Sequence, residues 1–113
     1  MPPIDHLIFK QHRQYSIMSY TLEELMEKML SSLPEDYIIQ NDDDALIKAA
    51  FTTEELGEVV KAIAHGTDRE VVKECADAIV GLLQIMAFYN YEGMPGIDGA
   101  FDETLNKLKE RKI

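Results

Sequence analysis

Tryptophan is absent from this chain and cysteine occurs once, at Cys75. A lone thiol closes no intramolecular disulfide, so packing must hold the fold. Its place in an apolar helical stretch reads as a packed thiol in a reducing compartment, not a nucleophile. Basic residues are scarce as well: 11 Lys and Arg stand against 21 Asp and Glu, a formal net charge of -10. Polyanion binding relies on clustered cations, which disfavours a nucleic-acid polymer as partner. A small phosphorylated ligand stays open where metal ions reverse the local field. For most of the acids the simpler role is solubility. No apolar run is long enough to span a bilayer, and the opening Met-Pro-Pro-Ile-Asp-His lacks the basic and apolar segments of a secretory leader. The expectation is a cytoplasmic protein without a membrane partner. At 113 residues, 46% of them hydrophobic, the chain suits one globular domain, residues 1–113.

Helical periodicity dominates what is there. Residues 1–19, with Pro2, Pro3, His6, His12 and Arg13, are weakly patterned and read as an N-terminal arm. The two histidines have no acidic or Cys partner at ligand spacing. Thr21 and Glu24 form a capping box and Tyr20 with Leu25 a hydrophobic staple, opening a helix with an apolar stripe of Leu22, Leu25, Met26, Met29 and Leu30. Pro34 ends it or opens a one-turn element. Asn41 to Asp44 is an acidic cluster at the head of an Ala-rich run, which N-capping and the helix dipole explain. One helix from about Asp43 to His65 is expected, with Leu56, Val59, Val60 and Ile63 as its apolar stripe; a Thr52/Glu55 capping box is the alternative start. Gly66 suits the end of that helix, and Thr67 with Glu70 makes the capping box of the next, from about Asp68 to Asn90. Met94 to Asp98 reads as a loop, and Asp98 caps a final helix with Phe101, Leu105 and Leu108 as its stripe.

Inside the central hairpin stand two acidic pairs, Glu55/Glu58 and Glu74/Asp77, each at a spacing of three. On a helix both members of such a pair leave one face, and an antiparallel hairpin brings the two pairs face to face. From Ala78 to Phe88 the only polar side chain is Gln84, which reads as a helix buried all round, and no Lys or Arg lies between Glu74 and Tyr91. Carboxylates beside such a segment need a counter-charge, and oxygen-only ligands favour Mg²⁺ or Mn²⁺. A chain this short covers an all-apolar helix best with a second copy of itself.

The string Glu54-Glu55-Leu56-Gly57-Glu58, followed after residues 59–73 by Glu74-Cys75-Ala76-Asp77, resembles the EExxE…ExxD signature of the MazG-like all-α nucleoside triphosphate pyrophosphohydrolases. The likeness is good over about residues 43–93. It implies an all-α bundle of four or five helices, completed by oligomerisation to a homodimer or homotetramer. It also implies Mg²⁺-dependent hydrolysis of a nucleoside triphosphate, or a related nucleotide, to the monophosphate and pyrophosphate, with Mn²⁺ as a substitute. By carry-over, Glu55, Glu58, Glu74 and Asp77 match the metal ligands, and Glu54 an orienting residue or base. Lys48, Asn106, Lys107 and Arg111 match the substrate contacts. Gly81, where relatives often carry an aromatic residue, departs from the pattern and leaves the base pocket undefined. Rival readings are a phosphoribosyl-ATP pyrophosphohydrolase of histidine biosynthesis, which cleaves the same bond, and a catalytically silent helical adaptor. A di-iron bundle needs Glu-x-x-His pairs, which no candidate Glu here provides.

Overall fold

The computed structural model describes residues 19–110, and these hold four α-helices, one 3-10 turn and no strand. The helices are α1 (Leu22–Ser32), α2 (Asp42–His65), α3 (Asp68–Tyr89) and α4 (Met94–Glu110), with the 3-10 turn at Glu35–Tyr37 between α1 and α2. The all-α architecture is the one expected. The N-terminal arm and Arg111 lie outside the described residues.

Local chemistry sets most of the helix ends. At α1, the Glu24 amide donates to Thr21 Oγ1 and the Thr21 amide to Glu24 Oε1, both at 3.1 Å, so the box closes in both directions. Tyr20 is half exposed, with the Lys28 ammonium 5.0 Å above its ring. At α2, Asn41 Oδ1 accepts from the Asp44 amide at 2.8 Å, and Asp42, Asp43 and Asp44 fill the first turn, where the dipole favours them. Thr52 lies inside this helix, its hydroxyl donating to the Lys48 carbonyl at 2.8 Å, so the alternative start at Thr52 is not taken. At α3, Thr67 Oγ1 accepts from the Glu70 amide at 3.2 Å, one half of a capping box. Gly66 is the C-cap of α2 with φ -103°, a value open to any residue. Space is what selects glycine there, since a Cβ would stand 2.6 Å from Glu70 Oε2 and 3.0 Å from the Ala62 carbonyl.

The last helix starts earlier than expected. Met94 to Asp98 is its first turn and not a loop. Pro95 is tolerated there because the first amides of a helix have no intrahelical acceptor, and Gly93 at φ +72° turns the chain into it. Burial of Ile97, 3% exposed, holds this turn in place. The core is small: Met26 and Met29 of α1, Leu83 of α3 and Ile97 of α4, with Leu22, Leu25, Val80, Met86, Ala87 and Met94 around it. Full burial of a side chain of this size contributes about 1.5–3 kcal/mol, an upper figure for these four, which keep 3% to 7% exposure.

The second half of the molecule is the α2/α3 hairpin. Along α2 from Ala45 onward the covered residues are Ala45, Lys48, Thr52, Glu55, Val59 and Ala62, at alternating steps of three and four, while the residues between them from Leu46 to Lys61 are exposed. The facing stripe on α3 is Val71, Glu74, Ala78, Gly81, Ile85 and Phe88, at the same steps. This is a coiled-coil seam with small residues at its middle. A Cβ on Gly81 would overlap Thr52 Oγ1, so the missing side chain is what lets the helices approach. At the open end, the Tyr89 hydroxyl donates to Asp42 Oδ1 at 2.6 Å. The seam corrects the expected stripe of α2: Val59 faces α3, but Leu56, Val60 and Ile63 are 49%, 68% and 68% exposed. It also corrects the reading of Ala78 to Phe88 as buried all round, since Ile79 and Leu82 are half exposed in the protomer. Phe101, Leu105 and Leu108 of α4 are likewise exposed.

Candidate functional site

Three points fix the alignment of α2 on α3: the Gly66-Thr67 turn, the Thr52/Gly81 approach and the Tyr89/Asp42 bond. In that alignment Glu55 is level with Asp77, and Glu58 with Glu74, to within a residue. Glu55 and Glu74 sit in the seam and are half-buried. Glu58 immediately precedes Val59, and Asp77 immediately precedes Ala78, which hold equivalent places in the two stripes. In an antiparallel pair, residues preceding equivalent seam positions lie on the same side. The backbone therefore brings all four acids to one flank of the hairpin. Glu54 is exposed, one turn before Glu58 on that flank.

The side chains themselves do not converge. Among the described residues no three His, Cys, Asp or Glu side chains are grouped closely enough to hold a metal ion. Like charges repel, and three of the four acids take the nearest ammonium instead, Glu55 making no ion pair among the described residues. Lys61 lies 3.8 Å from Glu58, and Lys73 lies 3.1 Å from Asp77 and 3.7 Å from Glu74. The counter-charge that Glu74 to Tyr91 lacks thus comes from the residue just before it. The hydrogen bond to Asp77, with the charges of Asp77 and Glu74, holds the Lys73 ammonium above the ordinary lysine value of 10.5. The donor set still suits a hard divalent cation: four carboxylates, oxygen only, with Glu58 exposed and Asp77 half-exposed, both able to turn from their lysines.

The four substrate-contact expectations separate. Lys48 belongs to the same α2 stripe as Glu55, two turns nearer the open end, and lines a cavity of about 160 Å³ with Asp44, Ile47, Phe51 and Ile38. Asn106 and Lys107 stand on the outer half of α4, exposed, with Lys107 3.8 Å from Glu103. α4 joins the rest of the protomer through Met94 and Ile97, so within one copy these two are not brought to the acidic flank. Lys109, not among the expected substrate contacts, lies three residues after Asn106 and is exposed beside it on α4. Gly81 has its own reason to depart from an aromatic, since the seam leaves no room for a side chain.

No helix among the described residues is long and apolar enough to cross a membrane. Comparison with known proteins comes down to one finding. Neither the curated proteins nor the solved structures contain a significant match. The family model of the MazG nucleotide pyrophosphohydrolase domain does match, over residues 45–112, which takes in the seam, both acidic pairs and α4. The chain belongs to the MazG nucleotide pyrophosphohydrolase domain family.

Proposed function

We propose that the protein is a Mg²⁺-dependent pyrophosphohydrolase of nucleoside triphosphates. Water adds across the anhydride linking the α and β phosphorus atoms, giving the monophosphate and pyrophosphate and releasing a proton to a carboxylate. The observation that carries this is the hairpin alignment, which levels Glu55 with Asp77 and Glu58 with Glu74 on one flank. In this reading Glu55, Glu58, Glu74 and Asp77 hold the cation, and Mn²⁺ can substitute. The cation, when bound, neutralises phosphate oxygens as charge shifts between them. Glu54, exposed beside Glu58, takes the water's proton or orients the residue that does. Lys48, on the stripe that holds Glu55, is in this reading a contact to the substrate. Asn106 and Lys107 reach substrate only through a neighbouring copy, so the acting form is a homodimer or homotetramer; Arg111 is assigned to the substrate by the family likeness alone.

The test is a panel of canonical, deoxy and modified triphosphates, with phosphoribosyl-ATP beside them, assayed with Mg²⁺ for pyrophosphate and for orthophosphate separately. Pyrophosphate is expected, with a loss of about 100-fold or more in kcat/KM for Glu58→Gln and Asp77→Asn at unchanged helicity. Orthophosphate alone would contradict the bond proposed. Full activity in both variants would remove the acids from the chemistry.

A further inference from the structure

Gln84 is the one polar side chain between Ala78 and Phe88, and it is 8% exposed. Its Oε1 is buried with no hydrogen-bond partner among the described residues. Native proteins leave few such groups unpaired, because burial strips the oxygen of water and returns nothing. For folding alone, a methionine or leucine would serve this position better.

The side chain lines a cavity of about 280 Å³ whose other walls include Leu30, Leu33, Ile38, Ile39 and Phe88. Pockets that take whole ligands run to roughly 300–1,000 Å³, so this one suits part of a ligand. Apolar walls, one aromatic ring and one amide are what a flat heteroaromatic ring requires: faces against carbon, an edge against a donor and acceptor.

Position adds the second half of the argument. Gln84 precedes Ile85 in the seam as Asp77 precedes Ala78, so it stands on the same flank as the acids. It lies two helical turns from Asp77, about 10 Å along the axis. Lys48 is level with it on α2, to within a residue. A nucleotide laid along the flank with its phosphates at the acids puts its base at Gln84. Leu30, Leu33, Ile38 and Ile39 all precede residue 45, where the family match begins. This end of the site is therefore built partly from segments that precede the family match.

We propose that the cavity receives the nucleobase and that the Gln84 amide pairs with an N–H on the edge of the base. The proposal rests on reading the acidic flank as the phosphate end. It is tested by comparing the full chain with Gln84→Met, which keeps length and removes polarity. Each of the four deoxynucleoside triphosphates and the base-free deoxyribose 5-triphosphate is assayed with Mg²⁺. The variant should lose about 10-fold or more in kcat/KM on the preferred base, because a site built to pair with a ligand group discriminates strongly by it. It should lose nothing on the base-free compound, and its melting temperature should hold or rise. No loss, an equal loss on both kinds of substrate, or a lowered melting temperature would overturn the assignment.

Should the wild type cleave none of the triphosphates, the proposed activity falls and the pocket is judged separately. The Gln84 side-chain amide signal in a ¹H–¹⁵N spectrum, identified by its absence in Gln84→Met, is then titrated with free deoxynucleosides. A saturable shift with at least one of them supports the pocket, and no shift with any of them refutes it.

Discussion

The ammonium of Lys73 sits on oxygens that a divalent cation would also use, 3.1 Å from Asp77 Oδ2 and 3.7 Å from Glu74 Oε1. It is charged at any ordinary pH, as lysines are, and those same acids raise its pKa further. Removing it with Lys73→Met should tighten Mg²⁺ binding. The change should be a few-fold and not orders of magnitude, because exposed ion pairs are weak and easily released. Isothermal titration with Mg²⁺ measures it, and weaker binding in the variant would mean that Lys73 orients the acids instead of competing for them. A second residue-scale expectation concerns pH. The hydrogen bonds that Glu24 makes with Thr21, that to the backbone first, lower its pKa from the ordinary 4.5. A carboxyl depressed in the folded state contributes stability above its unfolded pKa and loses it as pH falls through the folded value. The thermal advantage of the wild type over Glu24→Ala should thus be full above about pH 4.5 and shrink steadily below it. An advantage independent of pH would mean that the ionised capping bond contributes nothing.

Between elements, Thr52 packs against Gly81, and this approach makes a sharp prediction about additivity. Gly81→Ala alone forces Thr52 or the helix axis to move, a cost of roughly 1–3 kcal/mol for an overpacked site. With Thr52→Ala beside it the clash is gone, and the helix regains the roughly 1 kcal/mol by which alanine exceeds glycine in propensity. Chemical denaturation of the four proteins in a double-mutant cycle should show strong positive coupling; simple additivity would mean that the two helices are not in contact there. How far the sequence could be read follows from the same geometry. The caps at Thr21, Asn41 and Thr67 were legible because a side chain and an amide three residues on suffice to make them. The acidic pairs were legible from their spacing and neighbours. The face of α2 turned to α3 was not, since hydrophobicity pointed to Leu56, Val60 and Ile63 while close packing selected Ala45, Thr52 and Ala62. The start of α4 was missed because Pro95 and Gly96 are poor helix formers, and the burial of Ile97, a tertiary event, overrides them.

For the whole molecule, the hairpin has two unlike sides. One carries Glu58, Asp77 and Gln84. The opposite side carries Leu56, Val60, Ile63, Val72, Ile79 and Leu82, each between 48% and 68% exposed. Soluble monomers rarely leave so continuous an apolar surface open, and a second hairpin of the same kind would close it into a four-helix bundle. Sedimentation equilibrium should therefore find the wild type as a dimer or larger at micromolar concentration. Its melting temperature should also fall on dilution, as mass action requires of a folded assembly. Val60→Glu separates this from packing within one copy: Val60 is 68% exposed in the protomer, where a surface substitution changes stability by no more than about 0.5 kcal/mol. In an assembly the same change buries an unpaired charge at the interface and should yield a monomer whose melting temperature no longer depends on concentration. A wild type that sediments as a monomer would overturn the prediction. Because the acids lie on the other side of the hairpin, Glu58→Gln should lose catalysis and leave assembly untouched, whereas Val60→Glu, which removes the copy that would bring Asn106 and Lys107, should lose both.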